Sequence, residues 1–235
     1  SDGCSVTDEG GVANMVQKIM DSWGRIDILI NNAGILRDKT FGKMDIADFR
    51  AVLEVHLMGS VICSRAVWPI MRQQQYGRIV VTTSVTGLHG NFGQTNYGAA
   101  KAGLYGFMNV AKLEGERDNI RVNTISPFAL TRMTESMITG ERAAMYAPEL
   151  VSPAVMYLVS EDAPTGMILS AGAGTVSRAA MVETQGVNFG MNITAEDVAA
   201  QIDEIGDMST ARPMRDATEQ SKKNAETLAQ APVKG

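Results

Sequence analysis

Apolar residues recur along this chain with two different spacings, and the two spacings alternate. From Val12 to Met20 they return every three or four residues and stop before Gly24, which predicts a helix. The next apolar run, residues 26–30, is short and continuous, as in a buried strand. Alternation of helical and strand-like stretches predicts an α/β protein with a mainly parallel sheet.

The alternation continues as far as residue 170. A loop over residues 35–43 follows the first strand. The remaining predicted elements are, in order, helix 45–71, strand 79–83, loop 87–94, helix 97–114, strand 120–125, helix 153–160 and strand 167–170.

Apolar periodicity weakens towards the carboxyl end of the chain. Thr194 and Asp197 are placed as the first residues of a capped helix. From Met208 onward apolar residues become sparse, which predicts a polar helix with a loose end. We therefore predict one domain over residues 1–190 and a helical extension with a loose tail over residues 191–235.

Composition and charge narrow the class of protein. The 235 residues are 45% hydrophobic and 20% charged, as in soluble globular domains. A net charge of -5 and the lack of a basic run argue against a nucleic-acid partner. The sequence has no apolar run long enough to predict a membrane span. The two cysteines, Cys4 and Cys63, lie far apart and fit a cytoplasmic location better than a disulfide framework.

The candidate chemistry centres on Tyr97, Lys101 and Ser84. Residues four apart share one face of a helix, so Tyr97 and Lys101 should point the same way. An ammonium beside a phenol favours the phenolate, so Lys101 is predicted to lower the pKa of Tyr97 and make it a proton-transfer group. Ser84 ends the predicted strand 79–83, where parallel sheets bind ligands, and could hold a substrate oxygen.

Two further motifs accompany this triad in order: Asn31-Asn32-Ala33-Gly34 after the first strand and Asn123-Thr124-Ile125-Ser126-Pro127 at the end of a later one. The ordered set resembles the short-chain dehydrogenase/reductase family. The resemblance implies a Rossmann-type doubly wound parallel sheet, an oxidoreductase activity and NAD or NADP as cofactor, with no metal. The cofactor-binding residues that it implies are Asn31, Ala33, Gly34, Tyr97, Lys101, Pro127 and Thr131.

His56 departs from the family pattern. Many members carry asparagine at this position, where it anchors a proton-relay water, whereas this chain has Glu54-Val55-His56-Leu57-Met58-Gly59. His56 could still hold a water, or could be a packed helix histidine, and the sequence leaves both open. The histidine and the segment Asn91-Phe92-Gly93-Gln94 resemble the hydroxyacyl-coenzyme A dehydrogenase domain of multifunctional β-oxidation enzymes and their bacterial relatives.

One family element is not found in the sequence. The family opens with a glycine-rich turn that carries the cofactor pyrophosphate, and this chain has no such pattern ahead of a helix. We therefore expect the chain to lack the first strands and helices of the sheet and to bind a dinucleotide poorly. The choice between NAD and NADP stays open, because the residues that make it belong to that segment.

The resemblance implies a 3-hydroxyacyl thioester as substrate and its 3-oxoacyl form as product. A 3-oxoacyl carrier-protein reductase and an inactive truncated paralogue acting as a scaffold are the alternatives. The small-residue helix 97–114 implies a homodimer or homotetramer. The Met-rich segment 132–146 is either a lid over the acyl chain or an ordinary surface helix.

Overall fold

The computed structural model describes residues 2–131, 134 and 140–229. Its helices and strands alternate through the first three quarters of the chain. They are α1 (Glu9–Trp23), β1 (Ile28–Asn31), α2 (Ile46–Leu53), α3 (Gly59–Gln74), β2 (Gly77–Thr82), α4 (Val85–His89), α5 (Thr95–Gly115), β3 (Ile120–Pro127), α6 (Ser152–Leu158), β4 (Ile168–Gly172), β5 (Thr175–Ala179), α7 (Ala195–Ala200), α8 (Ile202–Ile205) and α9 (Ala217–Leu228).

The five strands form one sheet in the order β1-β2-β3-β4-β5. β1 to β4 run parallel, and β5 turns back antiparallel to β4. The predicted α/β fold with a mainly parallel sheet is therefore confirmed. β5 was not predicted from the sequence. It follows β4 through a tight turn at Ala173 and Gly174, whose φ angles of 49° and 72° require the left-handed conformation.

β2 is covered on both of its faces, which explains the run of three apolar residues at its centre. Ile79 and Val81 pack with Met71 of α3 and Leu104 of α5. Val80, between them, faces the opposite way and packs with the cluster that contains Leu158 of α6. All six residues of β2 are buried. A strand covered on both faces favours apolar residues at successive positions, because successive side chains alternate between the faces.

The structure refines two predicted elements in the first half of the chain. The helix predicted from residue 45 to residue 71 is present, but a π-helical turn over Glu54–Met58 separates α2 from α3. The segment predicted as loop 87–94 is wrong in its first part, because residues up to His89 belong to the short helix α4. Ser84 is the N-cap of α4, so this helix begins at Val85, before the glycines on which the loop prediction rested.

The predicted lid, residues 132–146, lies partly outside the described residues, which exclude 132, 133 and 135–139. The part that is described includes a 3₁₀ helix over Gly140–Tyr146. In the described part of the chain, none of the helices is long and apolar enough to cross a bilayer.

The chain divides into two compact units, Ser1–Ala179 and Ala180–Gly235. In the second unit Thr194 accepts a hydrogen bond from the Asp197 amide, and Asp197 accepts one from the Thr194 amide, so the predicted cap is confirmed. Lys223 of α9 is buried and its Nζ lies 2.5 Å from Glu183 Oε1. The domain boundary at residues 190 and 191 stays a prediction.

Candidate active site

A cavity of about 540 Å³ opens at the carboxyl ends of the parallel strands. β2 ends at Thr82 and β3 at Pro127, so the segments that leave these strands form its walls. Ligands of open parallel sheets bind at this edge. Seven of the predicted catalytic and cofactor-binding residues line the cavity, namely Gly34, His56, Ser84, Tyr97, Lys101, Pro127 and Thr131.

Ser84 is fixed by its place at the first turn of α4. Its backbone is extended, and its Oγ accepts a hydrogen bond from the Thr86 amide at 3.2 Å. A serine at this position satisfies one of the amides that a helix leaves unpaired at its start. The hydroxyl proton of Ser84 stays available, because Oγ is the acceptor in that bond. Ser84 can therefore donate a hydrogen bond to an oxygen in the cavity.

Tyr97 and Lys101 lie one turn apart on α5, as their spacing predicted. Lys101 is 3% exposed, and its Nζ donates to the Thr82 carbonyl at 2.5 Å. The same Nζ lies 5.5 Å from the centre of the Tyr97 ring. The Thr83 hydroxyl donates to the Lys101 carbonyl at 2.7 Å and fastens α5 to the end of β2. The strand end thus fixes the position of the ammonium.

The predicted electrostatics of Tyr97 are wrong for this geometry. Burial raises the pKa of the phenol, the interaction with the Ser84 hydroxyl lowers it, and the carboxylate of Asp38 raises it. Burial is the largest of the three causes, since it disfavours the charged phenolate. The Lys101 ammonium donates to the Thr82 carbonyl. Tyr97 is therefore a protonated phenol at neutral pH.

Lys101 is itself perturbed by its surroundings. Burial lowers the pKa of its ammonium to about 8, because the charged form loses hydration in the interior. Its ordinary value is 10.5. A buried lysine in a cleft is a frequent mark of a functional site, since structural stability alone gains little from it.

His56 is buried in the π-helical turn and packs against Tyr97. The two rings meet edge to face with centroids 5.1 Å apart. Nε2 lies 2.8 Å from the Ile35 carbonyl oxygen and 3.1 Å from the Ile35 amide. A Cβ at Gly34 would overlap the His56 ring, so this position requires glycine. His56 thereby joins the loop after β1 to the tyrosine.

The charge state of His56 follows from its burial. Burial and, to a smaller extent, the nearby Lys101 ammonium together lower its pKa from 6.5 to about 4. The imidazole is therefore neutral at physiological pH. Among the described residues, none hydrogen-bonds to Nδ1 of this ring. The structure is compatible with both hypotheses for His56, because the ring is packed and yet retains one unused nitrogen.

Two of the residues implied for cofactor binding lie elsewhere. Asn31 is buried, and its Nδ2 donates to Ser64 Oγ of α3 at 3.0 Å, so it faces the helix behind β1. Asn31 and Ala33 do not contribute to the lining of the cavity, whereas Gly34 does. Alternation along an extended segment explains the difference, because Asn31 and the next residue, Asn32, point to opposite sides.

Asn32 and Gln94 are cavity residues that sequence reasoning did not place there. The Asn32 amide oxygen accepts from the Thr82 hydroxyl at 3.1 Å, which fixes it beside the end of β2. Period-two alternation from the buried Asn31 could have identified Asn32. Gln94 lies just before α5 in a stretch that only its resemblance to the hydroxyacyl-coenzyme A branch had marked. Its partners are distant in sequence, so no local pattern points to them.

Comparison with known proteins decides the family. Residues 3–142 match the family model described as short chain dehydrogenase. The chain belongs to the short-chain dehydrogenase/reductase family. It is therefore an oxidoreductase with a Rossmann-type fold, and enzymes of this family generally use NAD or NADP.

Relatives of this short-chain dehydrogenase fall into two groups by length. A Mycobacterium tuberculosis protein named as a short-chain type dehydrogenase/reductase is 46% identical over 209 residues, which are 88% of this chain and 73% of that protein. Peroxisomal multifunctional enzyme A of Dictyostelium discoideum is 45% identical over 185 residues, 78% of this chain but 42% of the enzyme. The chain thus spans less than half of the multifunctional relative.

A solved structure agrees with the sequence comparison. The full-length peroxisomal multifunctional enzyme type 2 of Drosophila melanogaster superposes with a TM-score of 0.83 at 35% identity. The match covers 97% of this chain and 40% of that enzyme. The short-chain dehydrogenase described here is therefore similar in fold to one part of a longer enzyme.

Proposed function

We propose that the chain interconverts a 3-hydroxyacyl thioester and its 3-oxoacyl form with NAD or NADP. The observation that carries this proposal is the meeting of Ser84, Tyr97 and Lys101 around one cavity at the carboxyl ends of β2 and β3. These groups can bind a carbonyl or carbinol oxygen, exchange a proton with it and supply a fixed positive charge.

Tyr97 is proposed as the proton donor in the reductive direction. Its raised pKa keeps the phenol protonated, so the proton is present when an oxygen gains negative charge. Ser84 is proposed to donate a second hydrogen bond to the same oxygen. Donation of the proton leaves a phenolate, which the nearby Lys101 charge favours. In the oxidative direction this phenolate is the base that takes the proton back from the carbinol oxygen.

The residues of the cavity fit the nicotinamide half of a dinucleotide. The cofactor supplies or accepts the hydride. Lys101 is proposed to bind a ribose hydroxyl, because its buried ammonium has three donors and the Thr82 carbonyl takes one. Gly34 allows close approach of the backbone, and Pro127 and Thr131 line the wall formed at the end of β3. Asn31 and Ala33 are proposed to support the cavity from behind β1 rather than to contact the cofactor.

His56 is proposed to act through the loop after β1 and through Tyr97. Its Nε2 fixes the Ile35 backbone, and its ring edge restrains the tyrosine ring. The neutral Nδ1 is proposed to take part in proton exchange through a water, since a neutral imidazole nitrogen can accept or donate a hydrogen bond. In this proposal both hypotheses for His56 apply: the ring is packed in its helix, and the packed ring holds the water.

A 3-hydroxyacyl substrate is supported by three observations. His56 and the segment 91–94 resemble the hydroxyacyl-coenzyme A branch of the family. The similar Drosophila protein is named as a peroxisomal multifunctional enzyme type 2. The lining combines polar groups at the strand ends with apolar residues such as Leu36 and Phe128. Such a mixture suits an acyl chain with one reactive oxygen.

Oxidation of reduced nicotinamide, followed by absorbance, tests the proposal in the protein as its gene encodes it. The substrates are 3-oxoacyl thioesters of coenzyme A and of acyl carrier protein, each with NADH and with NADPH. Saturated acyl thioesters of equal length are the control, because they lack the oxygen that Tyr97 would protonate. Turnover on the coenzyme A ester supports the proposal. Turnover confined to the carrier-protein ester identifies a carrier-protein reductase, and no turnover on any 3-oxoacyl ester contradicts the proposal.

Assembly through α5 is a second part of the proposal. Val110 and Leu113 of this helix are 57% and 37% exposed, although α5 also supplies core residues to the other side. An apolar outer face on a helix with small residues favours close packing against a second copy around a two-fold axis. Sedimentation should show a homodimer or homotetramer, and Val110→Lys should reduce it to a monomer. A monomeric wild type would contradict this part.

The cytoplasmic location likewise stays a proposal. Both cysteines are free thiols in the structure, Cys63 being buried and Cys4 partly buried. Free thiols fit a reducing compartment. Fractionation of cells that express the protein as encoded would place it, and recovery in peroxisomes would contradict the proposal.

A further inference from the structure

Gln94 joins three segments around the cavity through a single side-chain amide. It is 8% exposed and lies just before α5. Its Nε2 donates to Asp38 Oδ2 at 2.6 Å, in the loop after β1. Its Oε1 accepts from Thr86 Oγ1 at 2.9 Å, in α4, and from Asn91 Nδ2 at 3.0 Å. We refer to these four side chains as the Gln94 clamp.

The chemistry of the Gln94 clamp requires an amide at its centre. Asp38 is an acceptor only when ionised, so the side of Gln94 that meets it must carry hydrogens. Asn91 offers an amide donor to the other side, and the Thr86 hydroxyl can donate there as well. A carboxylate at position 94 would serve Thr86 and Asn91 but would place two negative charges together at Asp38. Like charges at that distance repel strongly when partly buried.

The Gln94 clamp is linked to Ser84 and to Tyr97 through a few bonds and one backbone hydrogen bond each. Thr86, whose hydroxyl the clamp holds, gives its amide to Ser84 Oγ at 3.2 Å. The Gln94 carbonyl accepts from the Gly98 amide at 2.7 Å, which sets the first turn of α5 around Tyr97. The orientation of one amide therefore bears on the placement of both hydroxyls.

A second set of hydrogen bonds, beside the Gln94 clamp, also connects the loop after β1 with the start of α5. Asn96 Nδ2 donates to the Arg37 carbonyl at 2.9 Å, and the Lys39 amide donates to the Gly93 carbonyl at 3.0 Å. Asn96 also accepts from the Tyr97 amide at 2.7 Å. The loop after β1 is thus bound to the start of α5 on both sides of Asp38. Loss of the clamp should shift this start rather than unfold it.

We propose that Gln94 is a positioning residue that holds Ser84 and Tyr97 at the separation proton transfer needs. The inference rests on the proposed function for its catalytic consequence, and on hydrogen bonds between described residues for its geometry. Misplacement of reacting groups by a fraction of a bond length lowers the rate of the chemical step more than it lowers substrate affinity. Gln94 acts through its neighbours and transfers no proton itself.

The test exchanges the charges of the central pair. Gln94→Glu places a carboxylate against Asp38 and should lower kcat about 10- to 100-fold with a smaller change in KM. Asp38→Asn keeps an acceptor for Gln94 and should lose about threefold or less, because only the charge is removed. Gln94→Glu with Asp38→Asn restores a donor opposite an acceptor, and kcat should recover most of the loss. A double variant as slow as Gln94→Glu alone would overturn the proposal.

A matched pair at the other end of the sheet provides the control. Gln75 Nε2 donates to Asp118 Oδ1 at 3.1 Å, so Gln75→Glu also places a carboxylate against an aspartate, next to the amino ends of β2 and β3. Asp118 also pairs with Arg72 at 3.0 Å. It should lower the unfolding midpoint and leave kcat unchanged. An equal fall of kcat in Gln75→Glu and Gln94→Glu would overturn the proposal, because the effect would then be general destabilisation.

Hydrogen exchange gives a readout that needs no substrate. Amides of residues 95–98 should exchange faster in Gln94→Glu, return towards the wild-type rate in the double variant and stay unchanged in Gln75→Glu. If the exchange rates follow this pattern but no 3-oxoacyl thioester is turned over, the proposed function is rejected and the positioning role of Gln94 is retained. Unchanged exchange in Gln94→Glu would reject the clamp, whatever the activity.

Discussion

A buried cationic side chain lies at each end of β2, and the two ends differ in how fully its hydrogen-bond donors are used. At the amino end, Arg78 is 1% exposed, and its guanidinium donates to the carbonyl oxygens of Ser160 at 3.0 Å, Asn119 at 2.9 Å and Glu161 at 3.2 Å. Its carbon atom Cζ lies 4.1 Å from the centre of the Tyr76 ring. The guanidinium therefore has carbonyl partners at all three of its nitrogens and an aromatic ring over one face, as burial of a charge demands.

At the carboxyl end, buried polar groups are left with unused capacity. Lys101 is nearly as buried as Arg78, and the Thr82 carbonyl takes one of its three donors. His56 Nδ1 and Ser126 Oγ have no hydrogen-bond partner among the described residues. Unmet capacity costs stability, so a site that keeps it is suited to bind something else. The comparison separates a structural end of the strand from a functional one.

Lys101→Met should produce the largest change and should affect activity alone. Loss of the fixed charge should lower kcat about 100- to 10,000-fold and raise the KM for the dinucleotide. The free energy of unfolding at neutral pH should stay equal or rise, because a buried ammonium whose pKa is lowered to about 8 opposes folding. Steady-state kinetics and urea unfolding measure the two effects. A large loss of stability would contradict the assignment of this end as functional.

Arg78→Met should show the reverse pattern. The substitution leaves several buried carbonyl groups without a donor, so the free energy of unfolding should fall by about 3 kcal/mol. The kcat of the folded fraction should be unchanged, since Arg78 lies at the end of β2 opposite to the cavity. Arg65→Met, an exposed arginine of α3, is the matched control and should change neither quantity. A fall in the kcat of folded Arg78→Met would contradict the assignment of the amino end of β2 as structural.

The acid sensitivity of His56 is a smaller effect that sharpens the comparison. Its pKa is lowered from 6.5 to about 4 in the folded protein, so the unfolded chain binds a proton that the folded chain does not. Stability is therefore lost as pH falls from 6.5 towards 4, by up to about 3 kcal/mol.

Unfolding of His56→Asn across that pH range checks this assignment. The variant should lose this component of the pH dependence, whereas His89→Asn, at the exposed histidine that ends α4, should keep it. At neutral pH His56→Asn should retain most of kcat and His56→Ala should not, if the side chain holds a water for proton exchange. Equal kcat in both variants would reduce His56 to a packing residue.

The fold and much of the site could be read from local patterns. β2 has a continuous apolar run and α5 has residues at helical spacing, because strands covered on both faces and helices packed on a sheet impose strong constraints on their residues. The triad follows from the same constraints. Helical spacing places Tyr97 beside Lys101, and the strand end places Ser84 at the edge where ligands bind.

What sequence reasoning missed depends on contacts between distant residues. His56 meets Ile35, and Gln94 meets Asp38, across separations that no period describes. The raised pKa of Tyr97 was missed because its largest cause is burial of the phenol, and burial is a property of the packed molecule. The π-helical turn around His56 was missed for a similar reason, because its residues are ordinary helix formers.

Tyr97→Phe tests the central assignment most directly, through the rate of hydride transfer in a single turnover with excess enzyme and bound reduced dinucleotide. This measurement isolates the chemical step from binding and product release. The variant keeps the ring that packs against His56 and removes the phenol proton. Tyr105→Phe, the same change two turns along α5, is the control. The account predicts a rate about 100- to 10,000-fold slower for Tyr97→Phe and a normal rate for Tyr105→Phe. A wild-type rate in Tyr97→Phe would contradict it.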